Sequence, residues 1–389
     1  MQEGFVKSMN KQSALYCIDL IRAVMQETAV PALPEGLTLG QVYDFAKLHG
    51  VEAMVFHGLE QLNIQENDPV WQNWRNRADM LLTQSIVQLA ERDQLFAALP
   101  AAGISILPVK GCWLKEQYPD IDYRQMSDLD MLIRPEDAEK AKSVMLQHGY
   151  HFEDCPSDHH DEYIKPPYMG VELHISLLPK DDDRFDYYHD VWRKAIAAEE
   201  FPGVCRLKPE DEYIFYMVHL YKHVMYAGTG IRSILDCSVY RRLWPDMDAA
   251  YLGEEFEKLG LSLFAEQIKT LSDCWFDNGH TVPEELEAME HSIFSSAAYG
   301  TEAEEQQRKV EKLCQKYGNS FVAKLAYWLG LLFAPLEEMA PQYPVLNRHP
   351  YLLPVFWFVH LVQKLAREPM DLLRHFQNVN KAGNNYDKH

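Results

Sequence analysis

The 389-residue sequence has no basic excess, no long apolar run and no regular cysteine framework. Each lack removes a class of function. Lys and Arg number 37 against 58 Asp and Glu, a formal charge of −21. Such a chain repels a phosphate backbone except where basic residues gather locally, so bulk nucleic-acid binding is not expected. The longest apolar stretches, at 325–336 and 351–362, carry prolines and fall short of the ~20 residues of a bilayer-spanning helix, so no membrane anchor is expected. The seven cysteines, at positions 17, 112, 155, 205, 237, 274 and 314, show neither metal-ligand spacing nor a disulfide pattern; reduced thiols and a cytoplasmic location are the expectation. The first residues lack the basic start, apolar core and cleavage site of an export signal. Gly-x-Ser-x-Gly, Walker-type and dinucleotide-binding fingerprints are missing too, so the chemistries they mark find no support.

What is present suits a large globular protein. A 47% hydrophobic share with 12% aromatics can fill more than one core, and the length suggests about two to three domains. Helical spacing of Leu15, Ile18, Ile21 and Met25, a capping box of Thr38 and Gln41, and a long amphipathic segment over 70–99 make the first hundred residues helical. The texture changes at Gly103-Ile104-Ser105-Ile106-Leu107-Pro108-Val109, a short β-branched run bounded by Gly and Pro that reads as a strand. A helix is expected from Lys110-Gly111 to Tyr118, and a second strand over 128–133. Pro135, Glu136 and Asp137 open a further helix that Gly149 closes, and Val171-Glu172-Leu173-His174-Ile175 alternates as a third strand. The organisation is therefore a helical region over 1–100, an α/β core over 101–205 and a helical domain over 206–389, with the polar stretch 378–389 frayed.

Side chains alternate across a strand, so Asp128 and Asp130 share one face. Two adjacent carboxylates either remain solvated, shift a pKa or take a divalent cation, and hard oxygens at this spacing suit Mg²⁺. Alone, an Asp-x-Asp more often marks two solvated acids. Upstream, however, Lys110-Gly111-Cys112 opens a helix whose N–H groups can hold phosphate oxygens, with Gly111 admitting the ligand and Lys110 adding charge. Glu172 supplies a third strand carboxylate, with His174 on the same face.

The motifs Leu107-Pro108-Val109-Lys110-Gly111, Tyr118-Pro119, Arg124-Gln125-Met126-Ser127-Asp128-Leu129-Asp130-Met131-Leu132-Ile133, Gly149-Tyr150 and Val171-Glu172-Leu173-His174 together resemble the uncharacterised nucleotidyltransferase family of the polymerase-β-type superfamily. A looser likeness extends through His49-Gly50-Val51 and through His219, His223, Gly230, Arg232 and Asp236. The resemblance implies an α+β fold, with a mixed, mostly antiparallel sheet and helices as the nucleotidyltransferase core over 101–205, flanked by the two helical regions. It implies transfer of a nucleoside monophosphate from a nucleoside triphosphate to a hydroxyl acceptor, with release of pyrophosphate. The nucleotide is ATP by expectation; the acceptor is a small molecule, a protein side chain or an RNA end. Asp128, Asp130 and Glu172 would be the catalytic residues and hold Mg²⁺ or Mn²⁺. Lys110, Gly111, Cys112, Arg124, His174, His223 and Arg232 would bind the nucleotide. Two departures stand out: Cys112 replaces a family Ser, and the connection to Asp128 is longer than usual. The Cys leaves open a second reading, a catalytically silent nucleotide-binding or regulatory protein on the same fold.

Other constellations carry less. Asp120 and Asp122 form a rival pair without an apolar strand to follow. His219 and His223, four apart on a helix, lack the Glu of a His-Glu-x-x-His zinc motif; with Arg232 and Asp236 they either close over the nucleotide or form a buried network with an Arg–Asp pair at helical spacing. His159-His160-Asp161 and Asp181-Asp182-Asp183 read as solvated turns, and the aromatic run 351–358 as core.

Overall fold

In the computed structural model of the chain, the residues described are 2–62, 64, 67–153, 159–279, 281–296, 310, 313, 314, 317, 319–333, 336–339, 343, 345–359 and 379; side chains are described for all of these except 2–10, 226, 227, 331, 332, 337, 338, 347 and 348. Four helices, α1 (Gln2–Met25), α2 (Leu39–Leu48), α3 (Glu52–Glu60) and α4 (Pro69–Ala101), precede the first strand. Their starts follow from local chemistry. Thr38 and Gln41 form the expected reciprocal capping box on α2, and Asp68 accepts from the Val70 and Trp71 amides at 2.7 and 3.2 Å, with Pro69 in the first turn of α4.

Strands and helices then alternate: β1 (Leu107–Pro108), α5 (Gly111–Leu114), β2 (Leu129–Leu132), α6 (Ala138–Gln147), β3 (His151–Glu153), β4 (His160–Lys165), β5 (Met169–His174), α7 (Phe185–Tyr188), β6 (Ala195–Ala197) and β7 (Cys205–Leu207). Five of the strands make one sheet in the order β1-β2-β5-β4-β3, antiparallel except for the parallel pair β2 and β5. The fold is α+β, as the sequence suggested. The first expected strand shrinks to two paired residues, because Gly103 with φ 75 still belongs to the turn that ends α4 and Pro108 has no N–H for the ladder. The expected helix to Tyr118 is one α turn followed by a 3₁₀ turn, Lys115–Gln117.

The strand β4 corrects the reading of His160-Asp161 as a solvated turn. Its sequence His-Asp-Glu-Tyr-Ile-Lys buries only Tyr163, so it lacks the apolar alternation that marks a half-buried strand. One face of the sheet, through Leu129, Met131, Tyr163, Val171 and Leu173, packs with Ala141 and Met145 of α6 and with Leu95, Phe96 and Leu99 of α4. The opposite face carries Asp130, Glu162, Glu172 and His174 by alternation.

Beyond the sheet come α8 (Pro209–Lys222), a π-helical turn His223–Ala227, α9 (Ile231–Leu243), α10 (Ala249–Lys258), α11 (Ser262–Ser272) and α12 (Glu287–Ser295). Gly260, with φ 66, separates α10 from α11. Their apolar faces share one core with α1–α3: Ile21, Phe45, Met54, Ile214, Leu235 and Ile268 are all buried in it. These elements form one compact unit, Met1–Val224 with Thr229–Ala298.

A second unit comprises Met225–Gly228 and Tyr299–His389. Its described part contains α13 (Ser320–Leu332), capped by Asn319 accepting from the Val322 amide at 3.0 Å. Within the aromatic run expected to be core, Tyr351, Val355 and Phe358 are 73%, 57% and 68% exposed; Leu352, Leu353, Phe356 and Trp357 join a small cluster around Met339 and Leu346. Residues 360–378 and 380–389, the last part of the expected helical domain with the stretch expected to be frayed, lie outside the described residues.

Buried polar contacts fasten the helices to the sheet region. Asp236 of α9 accepts from Arg124 Nε and Nη2 at 2.8 and 3.0 Å and from the Tyr118 hydroxyl at 2.6 Å. Arg232 donates to the Gln125 carbonyl at 2.7 Å, and His49 Nδ1 accepts from the Ile231 amide at 3.3 Å. Asp236 therefore pairs with Arg124, not with Arg232 at helical spacing. Removing one partner of a buried pair strands the other charge, at a cost of about 3–5 kcal/mol. Asp236→Ala is accordingly expected to lower the unfolding free energy by about that amount in a urea titration; a loss below about 1 kcal/mol would contradict the burial of this contact.

Candidate active site

Register builds the site. In the parallel pairing of β2 with β5, Asp130 stands opposite Glu172 and Leu132 opposite His174; across β5, Glu162 stands opposite Glu172 and His160 opposite His174. A row of three carboxylates thus crosses three strands, with histidines in the next row. Asp128 precedes β2 and is half-buried beside Gly170 of β5. A Cβ at Gly170 would lie 3.3 Å from the Ser127 carbonyl and 3.7 Å from Asp128 Cβ, so the glycine lets the Asp128 segment lie close to the strand.

One nitrogen and one ammonium neutralise the centre of this row. Lys110 Nζ lies 2.7 Å from Asp130 Oδ1. His174 Nε2 lies 3.0 Å from the same oxygen and 3.1 Å from Glu172 Oε2. Burial opposes ionisation of Asp130, but the Lys110 charge and the His174 contact prevail and hold its carboxyl well below the usual range. Burial also disfavours charge on His174, yet its two carboxylate partners raise its pKa. Asp128 goes the other way: burial, then the charges of Asp130 and Glu172, push it up to about 6 despite Lys110.

Lys110 reaches its place at a backbone cost. Its φ is 56, in a region that a side chain disfavours, and it sits between β1 and α5. Gly111 follows, and the close approach made there is by Arg124: a Cβ would fall 2.5 Å from Nη1. The α5 turn spans four residues. Cys112 is buried with its thiol 3.1 Å from the Asp130 carbonyl, inside the core beneath the sheet, and does not face the carboxylates. Arg124 is engaged by Asp236 and Arg232 by the Gln125 carbonyl. Of the residues singled out in the sequence, Asp128, Asp130, Glu172, Lys110 and His174 are brought together; Cys112, Arg124 and Arg232 act in packing and in the staple to α9.

His223 takes an intermediate position. Its Nε2 lies 3.2 Å from His219 Nε2. Burial, followed by Lys110, lowers the pKa of both, that of His223 to about 4, so both imidazoles are neutral at pH 7. The charges of Lys110 and Asp130 are thus felt at the end of α8. The rival carboxylates go elsewhere: Asp122 is buried on His57 Nε2 at 3.2 Å, and Asp120 accepts from the Ile121 amide at 2.8 Å.

The donor chemistry fits a hard divalent ion. Asp130, Glu172 and His174 bring ligand atoms within 4.8 Å of one another, and the unrelieved repulsion at Asp128 is what a cation would remove. Histidines of β4 and the residue before it, which the sequence reading set aside, also reach this region: His159 and His160 ring centroids lie 5.8 and 5.1 Å from that of His174.

Among the described residues, no helix is long and apolar enough to cross a membrane. Residues 37–277 match the family model described as uncharacterised nucleotidyltransferase. No curated protein and no solved structure matches the chain.

Because the Asp128 carboxyl is pushed up to about 6 in the fold, above the ordinary 3.8 of a free aspartate, its ionised form destabilises the fold above pH 6, and this cost fades as pH falls toward 4. In chelator-treated buffer Asp128→Asn should therefore raise stability by about 1–2 kcal/mol at pH 8, with the gain vanishing near pH 4. Thermal unfolding across that range checks this; a pH-independent difference would show that the repulsion is not felt.

Proposed function

Because the chain belongs to the uncharacterised nucleotidyltransferase family, we propose that it is a metal-dependent nucleotidyltransferase on a polymerase-β-type core, and that the carboxylate face of the sheet is its active site. The observation that carries this reading is the convergence of Asp130, Glu172 and Lys110 from β2, β5 and the β1–α5 turn, with Asp128 in their field. Asp128, Asp130 and Glu172 would hold Mg²⁺ or Mn²⁺. When bound, such ions would neutralise charge on the phosphate oxygens and on the leaving pyrophosphate.

The chain's own groups account for the remaining needs. Lys110, with its side chain 20% exposed, sets a positive charge at the edge of the carboxylates where a triphosphate can meet it. An acceptor hydroxyl attacks the α-phosphorus; the new P–O bond forms as the bond to pyrophosphate breaks, and the hydroxyl proton passes to Glu172. Glu172 suits this role because it is the more exposed of the two carboxylates on His174, 25% against 7% for Asp130. His174 orients both carboxylates through Nε2. His219 and His223, neutral and near Lys110, would line the approach without opposing its charge. ATP is the proposed donor.

The second reading, a silent nucleotide-binding protein, drew on Cys112. With its thiol buried on the Asp130 carbonyl, that residue supplies no argument about the open face.

The test is incubation with each nucleoside triphosphate and Mg²⁺, scored for pyrophosphate release and for labelling of the chain or of added hydroxyl acceptors. Asp128→Asn, Asp130→Asn and Glu172→Gln should each reduce turnover by about 10²-fold or more with the fold intact. Nucleotide binding without turnover for any acceptor would favour the silent reading.

A further inference from the structure

Among the described residues, a further group of metal-ligating side chains lies beside the carboxylate row, where β4 begins and β5 ends. His160 opens β4 and stands opposite His174 in the antiparallel register. The His159 carbonyl accepts from the Ile175 amide at 2.8 Å, which fixes the preceding residue to the same place. The three imidazoles therefore ride on a hydrogen-bonded ladder. His159 Nε2 and His160 Nδ1 are 3.2 Å apart, and each of the three residues offers a nitrogen within 4.8 Å of the others. With Zn–N bonds of about 2.0–2.1 Å, the edge of a tetrahedral site is about 3.3 Å, so one of the three edges already has the required length.

A second observation points to a ligand. His174 is 6% exposed. Its Nε2 is committed to Asp130 and Glu172 at 3.0 and 3.1 Å, while its Nδ1 is buried with no hydrogen-bond partner among the described residues. A buried, unpartnered ring nitrogen is what a metal ion would satisfy, and a zinc-bound imidazole usually turns its other nitrogen to a carboxylate, as His174 does. Three imidazoles select a borderline transition metal over Mg²⁺, which prefers oxygen.

We propose that His159, His160 and His174 form a transition-metal site, of the kind that binds Zn²⁺ or Co²⁺, separate from the oxygen donors of Asp128, Asp130 and Glu172 but joined to them through His174. A metal held on Nδ1, the nitrogen that His174 withholds from the carboxylates, would fix its tautomer and leave Nε2–H to donate to Asp130 and Glu172. The site thereby positions the carboxylates and ties the start of β4 to the end of β5. It does not depend on nucleotidyl transfer, and it stands even if the chain has no turnover.

The experiment uses the untagged full chain, freed of metal with a chelator, and titrates it with Co²⁺ followed by visible absorption, then with Zn²⁺ in competition. One equivalent should bind with the intense visible bands of a four-coordinate site, and any Co²⁺ taken up by the oxygen donors of Asp128, Asp130 and Glu172 should add only weak bands. His159→Ala and His160→Ala should each weaken Co²⁺ binding in the intense visible bands at least tenfold, and His291→Ala, an exposed histidine of α12, should leave it within about twofold. Equal affinity in the His159 and His160 variants, or an equal loss in His291→Ala, overturns the proposal. X-ray absorption at the metal edge of the wild-type chain keeps the test independent of how the variants fold. A shell with about three imidazole nitrogens supports the site, and an all-oxygen shell overturns it. No nucleotide enters these measurements, so their failure is distinguishable from a failure of the transferase reading.

Discussion

The parallel pairing of β2 with β5 is the constraint on which the site rests. It sets Asp130 beside Glu172 and, through the antiparallel partner β4, extends the row to Glu162. Side chains alternate with a period of two, so a slip of one residue in either pairing would send the carboxylates into the apolar layer of Leu129, Met131, Val171 and Leu173. The register is held from that layer: four large apolar side chains have only one face on which they can be buried. Packing beneath the sheet thus decides which charges meet above it.

Bringing several acids to one face is unfavourable, and the chain offsets this unevenly. Asp130, the most enclosed, receives both the Lys110 ammonium and the His174 imidazole. Asp128 receives neither directly and keeps an elevated pKa. Lys110 adopts a positive φ to reach its partner, so backbone strain is spent where charge placement matters. The result is one carboxylate already compensated by the protein and one whose charge remains to be met from outside.

How far the sequence could be read follows from what each residue contacts. Asp128, Asp130 and Glu172 were visible because each interrupts an apolar run. The strand β4 was not visible, because its outer face carries His160, Glu162 and Ile164 and only Tyr163 is buried on its inner face. His159 and His160 were therefore passed over, although a pair of adjacent histidines was the available signal. Gly111 was legible as a close approach but not as an approach by Arg124, since that contact depends on a loop whose course is set by Asp236, more than a hundred residues later. Nothing local in Arg124 or Arg232 distinguishes a guanidinium that meets a ligand from one that meets a carbonyl or a carboxylate of the same chain.

The staple between α9 and the 118–125 segment has a practical corollary for genetics. Tyr118, Arg124, Asp236 and Arg232 converge on the loop that leads into Asp128. Damage to any of them would loosen the approach to the carboxylates without touching a reacting atom. A mutational screen scored on phenotype alone would place these four beside Asp130 and Glu172 in severity, and would draw the catalytic map too wide. Only a parallel record of how much folded protein each allele yields would separate the scaffold from the chemistry.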